Sequence, residues 1–376
     1  MSCATFIPPL HISPILPKLP YSSFYTHNNS PLFSLKFYSF YETMCTSNKL
    51  LIYYQIMLAV SITFSCFLGF SQGQLMFGFY SNSCPNAESI VSRVVSDKVR
   101  ESPNNVPILL RLHFHDCYVQ GCDASILIDN GPNAEKTAFG HQGVRGFDVI
   151  EAAKAQLESV CPGVVSCADI VAMAARDAVA LANGPRYQVQ TGRRDGIVSD
   201  KSLAEDMPDV NDSIQTLKAK FVSKGLNDKD LVVLSAAHTI GTTACFFMEK
   251  RLYSFFPNGG GSDPSINPAF LPELQATCPR NGDVNVRLPM DRGSEQTFDK
   301  HILQNIRTGF AVIASDASLY DDVMTRSVVD SYFGPLNPVL GPSFETDFVN
   351  SMIKMGSIDV KTGTEGQIRR VCRAFN

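Results

Sequence analysis

The chain has 376 residues, 32 of them Lys or Arg and 36 Asp or Glu, for a formal charge of −4 at pH 7. With 44% apolar residues, this balance excludes a disordered polyelectrolyte, and nothing in it recommends nucleic acid as a partner. The length suffices for one large globular unit with a substantial core.

Residues 1–73 differ in kind from the rest. They hold three lysines (Lys18, Lys36, Lys49), one acid (Glu42) and no arginine. The apolar core "LAVSITFSCFLGF" (58–70) follows Lys49 and precedes the small, polar "SQG", the pattern of a secretory signal peptide cleaved before Gln74. It falls short of the roughly 20 apolar residues of a membrane span, and no later segment reaches that length. The expected division is a leader over 1–56, an over-extended start with translation beginning at Met44 or Met57; a signal core and cleavage region over 57–73; and a single domain over 74–376. That domain carries 29 basic and 35 acidic residues, net −6. The product is expected to be exported to the extracellular space or cell wall rather than the vacuole, and to be monomeric, with no partner among nucleic acids or membranes.

Apolar residues at three- and four-residue intervals predict helices over 88–101, 144–160, 166–181, 213–225 and 229–241. After the first comes "ILLRLHFHDC" (108–117). On a helix Arg111 and His115 share one face while His113 points away. A guanidinium and an imidazole so placed can polarise one small substrate, the histidine moving a proton and the arginine holding developing charge. The alternative is that both are satisfied structural residues. "DCYVQGCDAS" then sets Asp116, Asp123 and Ser125 around a turn at Gly121, hard oxygens of the kind calcium selects, or else a solvated acidic turn.

The segment "YQVQTGRRDG" (187–196) reads as a minor hairpin. In "LVVLSAAHTIG", Leu231 and Leu234 place His238 on the buried stripe of a helix that Gly241 ends. Such a histidine is a candidate ligand or a hydrogen-bonded core residue, and the small "SAA" before it lets something flat lie close. "FPNGGGSDPSINP" (256–268) reads as a long surface loop without a phosphate-loop ending. "MDRGSEQTFD" (290–299) again offers oxygens, at Asp291, Ser294 and Asp299. An all-α-dominated unit is expected.

Eight cysteines follow the leader: Cys84, Cys117, Cys122, Cys161, Cys167, Cys245, Cys278 and Cys372. In an exported chain an even set implies four disulfides, but eight cysteines allow 105 pairings and spacing does not choose among them. A zinc site is the rival use of these thiols.

"RLHFHDCYVQGCDASIL", "EKTAFG", "RGFDVI", "CPGVVSCADI", "GRRDG", "LSAAHTIG" and "GQIRRVC" together closely resemble the secreted class III plant peroxidases, which are haem enzymes. The resemblance covers 74–376. It implies distal and proximal helical halves sandwiching one haem b, with Arg111, Phe114 and His115 on the distal side. His238 becomes the axial iron ligand and Asp316 the carboxylate that accepts its imidazole N–H. It further implies two calcium ions: a distal one held by Asp116, Val119, Gly121, Asp123 and Ser125, with Glu135 reaching it through water, and a proximal one held by Thr239, Asp291, Ser294, Thr297 and Asp299. The implied disulfides are Cys84–Cys161, Cys117–Cys122, Cys167–Cys372 and Cys245–Cys278. The implied substrates are hydrogen peroxide and small phenolic donors, which approach near Pro208 and give up one electron at a time.

The sequence departs from that pattern at His141, where the family usually has an asparagine that accepts a hydrogen bond from the distal histidine. A neutral imidazole can accept; a protonated one cannot. Slower peroxide activation, fading earlier on the acid side, is expected, unless His141 faces solvent. Two other functions compete with this reading: a catalytically weakened relative serving as a wall-associated binding protein, and a zinc hydrolase using His113, His115 and His238. Asn211-Asp212-Ser213 is a glycosylation sequon in the mature chain.

Overall fold

The structure, a computed structural model, describes residues 52–58, 74–334 and 341–376. The expected cleavage region, the Met44 start and Cys3, Cys45 and Cys66 lie outside the described residues. The chain falls into two compact units, Met1–Phe70 and Ser71–Asn376. In the first, 52–58 is helical; the second holds the remaining described residues.

Helix α1 (Ala87–Glu101) buries Ala87, Ile90, Val91, Val94 and Val95, the stripe its spacing demands. Helix α2 (Asn105–Gln120) tolerates Pro107 because the first turn needs no amide partner there. Its buried residues run all round it, from Val106 to Val119, including His113, His115 and Asp116. This helix therefore lies inside the unit rather than on its surface. It ends at Gly121, with φ of 94° and backbone tight against Asp359.

Helix α3 (Phe147–Val160) starts three residues later than its apolar pattern predicts, because Gly146 takes a left-handed φ of 92°. The alanine-rich α4 (Cys167–Leu181) is capped by Ser166, whose hydroxyl accepts from the Asp169 amide, and its small side chains let it pack against α1, α2 and α3. Then come α5 (Ile214–Ser223) and α6 (Asp228–Ser235), the latter opened by a reciprocal Asn227–Asp230 capping box.

The α-helix predicted to run through 241 stops at Ser235, and Ala236–Thr239 tightens into a 3-10 turn that carries His238. Two anchors account for the change. The Thr239 hydroxyl donates to Asp291 at 2.7 Å, and Gly241, at φ 100°, turns the chain onto Pro107 of α2.

Strands β1 (Thr242–Ala244) and β2 (Arg287–Pro289) pair antiparallel, with Thr242 opposite Pro289 and Ala244 opposite Arg287. The small sheet thus forms here and not at 187–196. That segment instead makes single bridges to distant chain, Thr191 to Met76, Arg194 to Lys361 and Asp195 to Gln367. The cause is Arg193, whose buried guanidinium is drawn to the Gly356 carbonyl and Asp169, which pins the segment between other elements.

Helices α7 (Glu249–Tyr253) and α8 (Leu271–Thr277) build a smaller core with Met248, Leu252, Phe270 and Leu288. Between them the 256–268 loop is irregular, with Gly259, Gly260 and Gly261 all at positive φ. Helices α9 (His301–Thr308), α10 (Ala314–Ser318), α11 (Val323–Ser331) and α12 (Phe344–Met355) complete the unit.

The eight cysteines form disulfides Cys84–Cys161, Cys117–Cys122, Cys167–Cys372 and Cys245–Cys278. No thiol among them is left to hold zinc.

Candidate active site

Helix α2 delivers Arg111 and His115 one turn apart, and the Arg111 Nε–H donates to His115 Nε2 at 3.0 Å. A second Arg111 nitrogen donates to the Gln142 carbonyl at 3.2 Å. Because a guanidinium only donates, His115 Nε2 must be the accepting nitrogen and its proton sits on Nδ1. That proton points at His141 Nδ1, 2.8 Å away. His141 therefore accepts, and its own proton lies on Nε2, which faces Glu135 Oε1 across 3.5 Å. The solvent-facing alternative for His141 does not hold, since its side chain and that of Glu135 are wholly buried.

Burial, with Arg111 and His141 nearby, holds the His115 imidazole well below the ordinary histidine range, so it is a neutral base. Arg111 is exposed in the open pocket and stays a cation at neutral pH. Phe114 stands edge-on to His115 with ring centres 5.6 Å apart and stacks on Phe221. His113 points the other way, its Nδ1 3.5 Å from Cys117 Sγ, so the three-histidine zinc arrangement does not form.

On the other side, His238 Nδ1 lies 2.9 Å and 3.1 Å from the two oxygens of Asp316, a carboxylate buried on α10. An ionised carboxylate accepts, so Nδ1 carries the proton and Nε2 keeps its lone pair. The imidazole is 40% exposed and thus open to a ligand.

Two oxygen clusters flank these histidines. Near α2, both oxygens of Asp116, both of Glu135 and the Ser125 hydroxyl are buried without a hydrogen-bond partner. Burial, then Asp123 and Glu135, drives the Asp116 carboxyl well above its usual range. Asp123 gives one oxygen to the Ser125 amide and the other to Lys361 at 2.5 Å. Uncompensated buried carboxylates are costly, and a bound cation is the remedy this donor set suits.

Below His238, Thr239 donates to Asp291 at 2.7 Å and Ser294 to Asp299 at 2.7 Å, with the Thr297 carbonyl beside them. His301 and Asn305 also hold Asp291, at 2.8 Å and 2.6 Å. Among the described residues no three His, Cys, Asp or Glu side chains converge on one metal. Each cluster instead offers two aspartates and at least one hydroxyl, joined by Glu135 near α2 and by the Thr297 carbonyl below His238.

Sequence reasoning missed several participants. Lys361 and Gly196 both press on Asp123, and an added Cβ at Gly196 would lie 2.3 Å from its carboxylate. Both come from distant chain and leave no local signal. His301 and Asn305 stand four apart at the start of α9, which was a legible hint. Pro208 is half-buried, and beside it opens a cleft of ≈310 Å³ lined by Phe139, Asp209, Asn211, Phe246 and Phe247 among others.

Residues 91–334 match the sequence profile of the peroxidase family. The chain is similar to Peroxidase 43 of Arabidopsis thaliana, 67% identical over 85% of this chain and 97% of that protein. Peroxidase 13 of the same plant is 56% identical over 82% of this chain and 95% of its own length. Peroxidase N1 of Nicotiana tabacum is 48% identical over 86% and 96%. No helix among the described residues is long and apolar enough to cross a membrane. Similarity that runs through both histidine sites and nearly the full length of these relatives shows that the chain belongs to the peroxidase family as a class III plant haem peroxidase, reducing hydrogen peroxide while oxidising donors.

Proposed function

We propose that this peroxidase is an exported, monomeric enzyme with one haem b and two calcium ions, using Arg111 and His115 against hydrogen peroxide and taking single electrons from small phenols. The hydrogen-bond chain Arg111–His115–His141 is the observation that carries this reading, because it fixes one tautomer and puts the basic lone pair and the cation on the same spot.

The residues fit haem: a histidine with Nδ1 committed to a buried carboxylate, Nε2 available, and the small Ala236 and Ala237 before it. Bound there, haem supplies the redox centre that accepts the oxidising equivalents of the peroxide and passes them on singly. His238 Nε2 would hold the iron, and Asp316, by drawing on the Nδ1 proton, makes the ligand more electron-rich. His115 Nε2 would take the proton of the incoming peroxide and return it to the departing oxygen. Arg111, displaced from His115 by the peroxide, would balance the charge that separates as the O–O bond breaks. His141 keeps the base in register by accepting its Nδ1–H.

The distal calcium would be held by Asp116, Asp123 and Ser125 with the carbonyls of Val119 and Gly121, and Glu135 would reach it through water. The proximal one would be held by Thr239, Asp291, Ser294, Thr297 and Asp299. Donors would approach near Pro208. The visible spectrum of the haem- and calcium-loaded 74–376 protein tests the reading. One equivalent of hydrogen peroxide is expected to shift the Soret band within milliseconds, and a phenol to restore it; a band that only bleaches contradicts the assignment of Arg111 and His115.

A further inference from the structure

The cleft beside Pro208 has an unusual rim. Phe139 and Phe246 are 64% and 46% exposed, Phe247 packs edge-on to Phe246, and Asn211 stands among them as an exposed side chain. Large aromatic side chains exposed together mark a surface that something covers or visits. Asn211 is also the acceptor position of the sequon Asn211-Asp212-Ser213.

We propose that Asn211 carries an N-linked glycan whose root lies over Phe139 and Phe246, narrowing the cleft so that small phenols enter and bulky or polymer-borne ones do not. The inference rests on the reading of this cleft as the donor approach and of the chain as exported. In the transfer, the bond between the sugar C1 and the phosphate oxygen of a lipid-linked diphospho-oligosaccharide breaks and a C1–Nδ2 bond forms. One amide proton of Asn211 leaves with the lipid diphosphate.

The local structure gives the glycan a fixed root. Asp209 Oδ1 accepts from both the backbone amide of Asn211, at 2.8 Å, and its side-chain Nδ2, at 3.1 Å. A carboxamide has two N–H bonds, so a glycosylated Nδ2 keeps one for Asp209 and remains in its present orientation. Behind it, Ser213 caps α5 by accepting from the Thr216 amide, which makes the sequon the rigid entry to a helix rather than a loose loop tip. The apolar faces of pyranose rings stack on exposed aromatic rings, and Phe139 and Phe246 provide such rings beside the root.

The test compares the full chain, recovered from the medium of a glycosylating secretory host, before and after an amidase removes its N-glycans. Mass spectrometry is expected to find Asn211 occupied. Hydroxyl-radical labelling of Phe139 and Phe246 should rise severalfold on removal. Values of kcat/KM for a phenol tethered to a large polymer should rise about tenfold, with a free small phenol changing less than about twofold. A secreted chain unmodified at Asn211, or labelling that does not change, overturns the proposal. Labelling that rises while both donors keep their constants overturns the gate. If labelling rises and neither form oxidises either donor, the failure lies in the reading of the cleft as a donor route, and the covered rim stands by its own readout.

Discussion

At the scale of single residues, the pairing of His115 with His141 has a measurable consequence. An asparagine oxygen accepts at any pH, whereas an imidazole that takes a second proton loses its only acceptor. In a His141→Asn variant the rate of peroxide consumption is expected to hold up to lower pH than in the natural chain; superimposable pH–rate profiles would remove His141 from the mechanism. His113 affects stability rather than rate. Burial, then Arg193, lowers its pKa to about 3, against an ordinary value of 6.5. Between those values the unfolded chain binds a proton that the folded one refuses, so stability is full above pH 6.5 and drains as pH falls toward 3. Urea midpoints at pH 7 and pH 4 should therefore differ less in a His113→Leu variant than in the natural chain.

Some of this was readable in advance. Arg111 and His115 are four apart, and helical geometry alone puts them together. The partner of His238 is 78 positions away, and only family resemblance suggested Asp316. The burial of His141 beside Glu135 was not readable, because the loop that sets it has no periodicity to follow.

At the scale of elements, periodicity located the predicted helices and placed their ends close to those observed, except at 241. Leu231, Leu234 and His238 keep helical spacing, yet the helix stops short because Thr239 is held by Asp291, 52 residues later. Gly241 completes that departure. A Cβ there would combine a φ of 100° with a 2.8 Å approach to Pro107 Cβ. Gly241→Ala is expected to cost about 1–3 kcal/mol of stability and to disturb His238; denaturant titration and the haem absorption spectrum would report the two effects separately. The 187–196 segment failed as a hairpin for the same kind of reason. Its composition favours extended chain, but Arg193 needs partners that lie 24 and 163 positions away.

At the scale of the whole molecule, the unpartnered oxygens of Asp116, Ser125 and Glu135 would make folding and the proposed calcium binding parts of one equilibrium. Chelation should lower the melting temperature by roughly 5 °C, as expected for loss of a ligand held well above its dissociation constant in a unit of this size. A melting curve indifferent to chelator would mean that Lys361 and Arg369 neutralise the cluster by themselves.

Arg369 also introduces an order in time. Its fully buried guanidinium donates to the Ala124 carbonyl, across 245 positions, and its backbone amide donates to Asp195. Cys372, three residues on, is bonded to Cys167 at the start of α4. A ribosome that has finished the distal loop must add all of the intervening chain before the residues that brace that loop exist. The oxygen cluster therefore gains this brace only once Arg369 itself has been made. A nonsense codon at Arg369 would remove none of the residues assigned to peroxide, iron or calcium, yet it would leave the earliest-made part of the site without its last support.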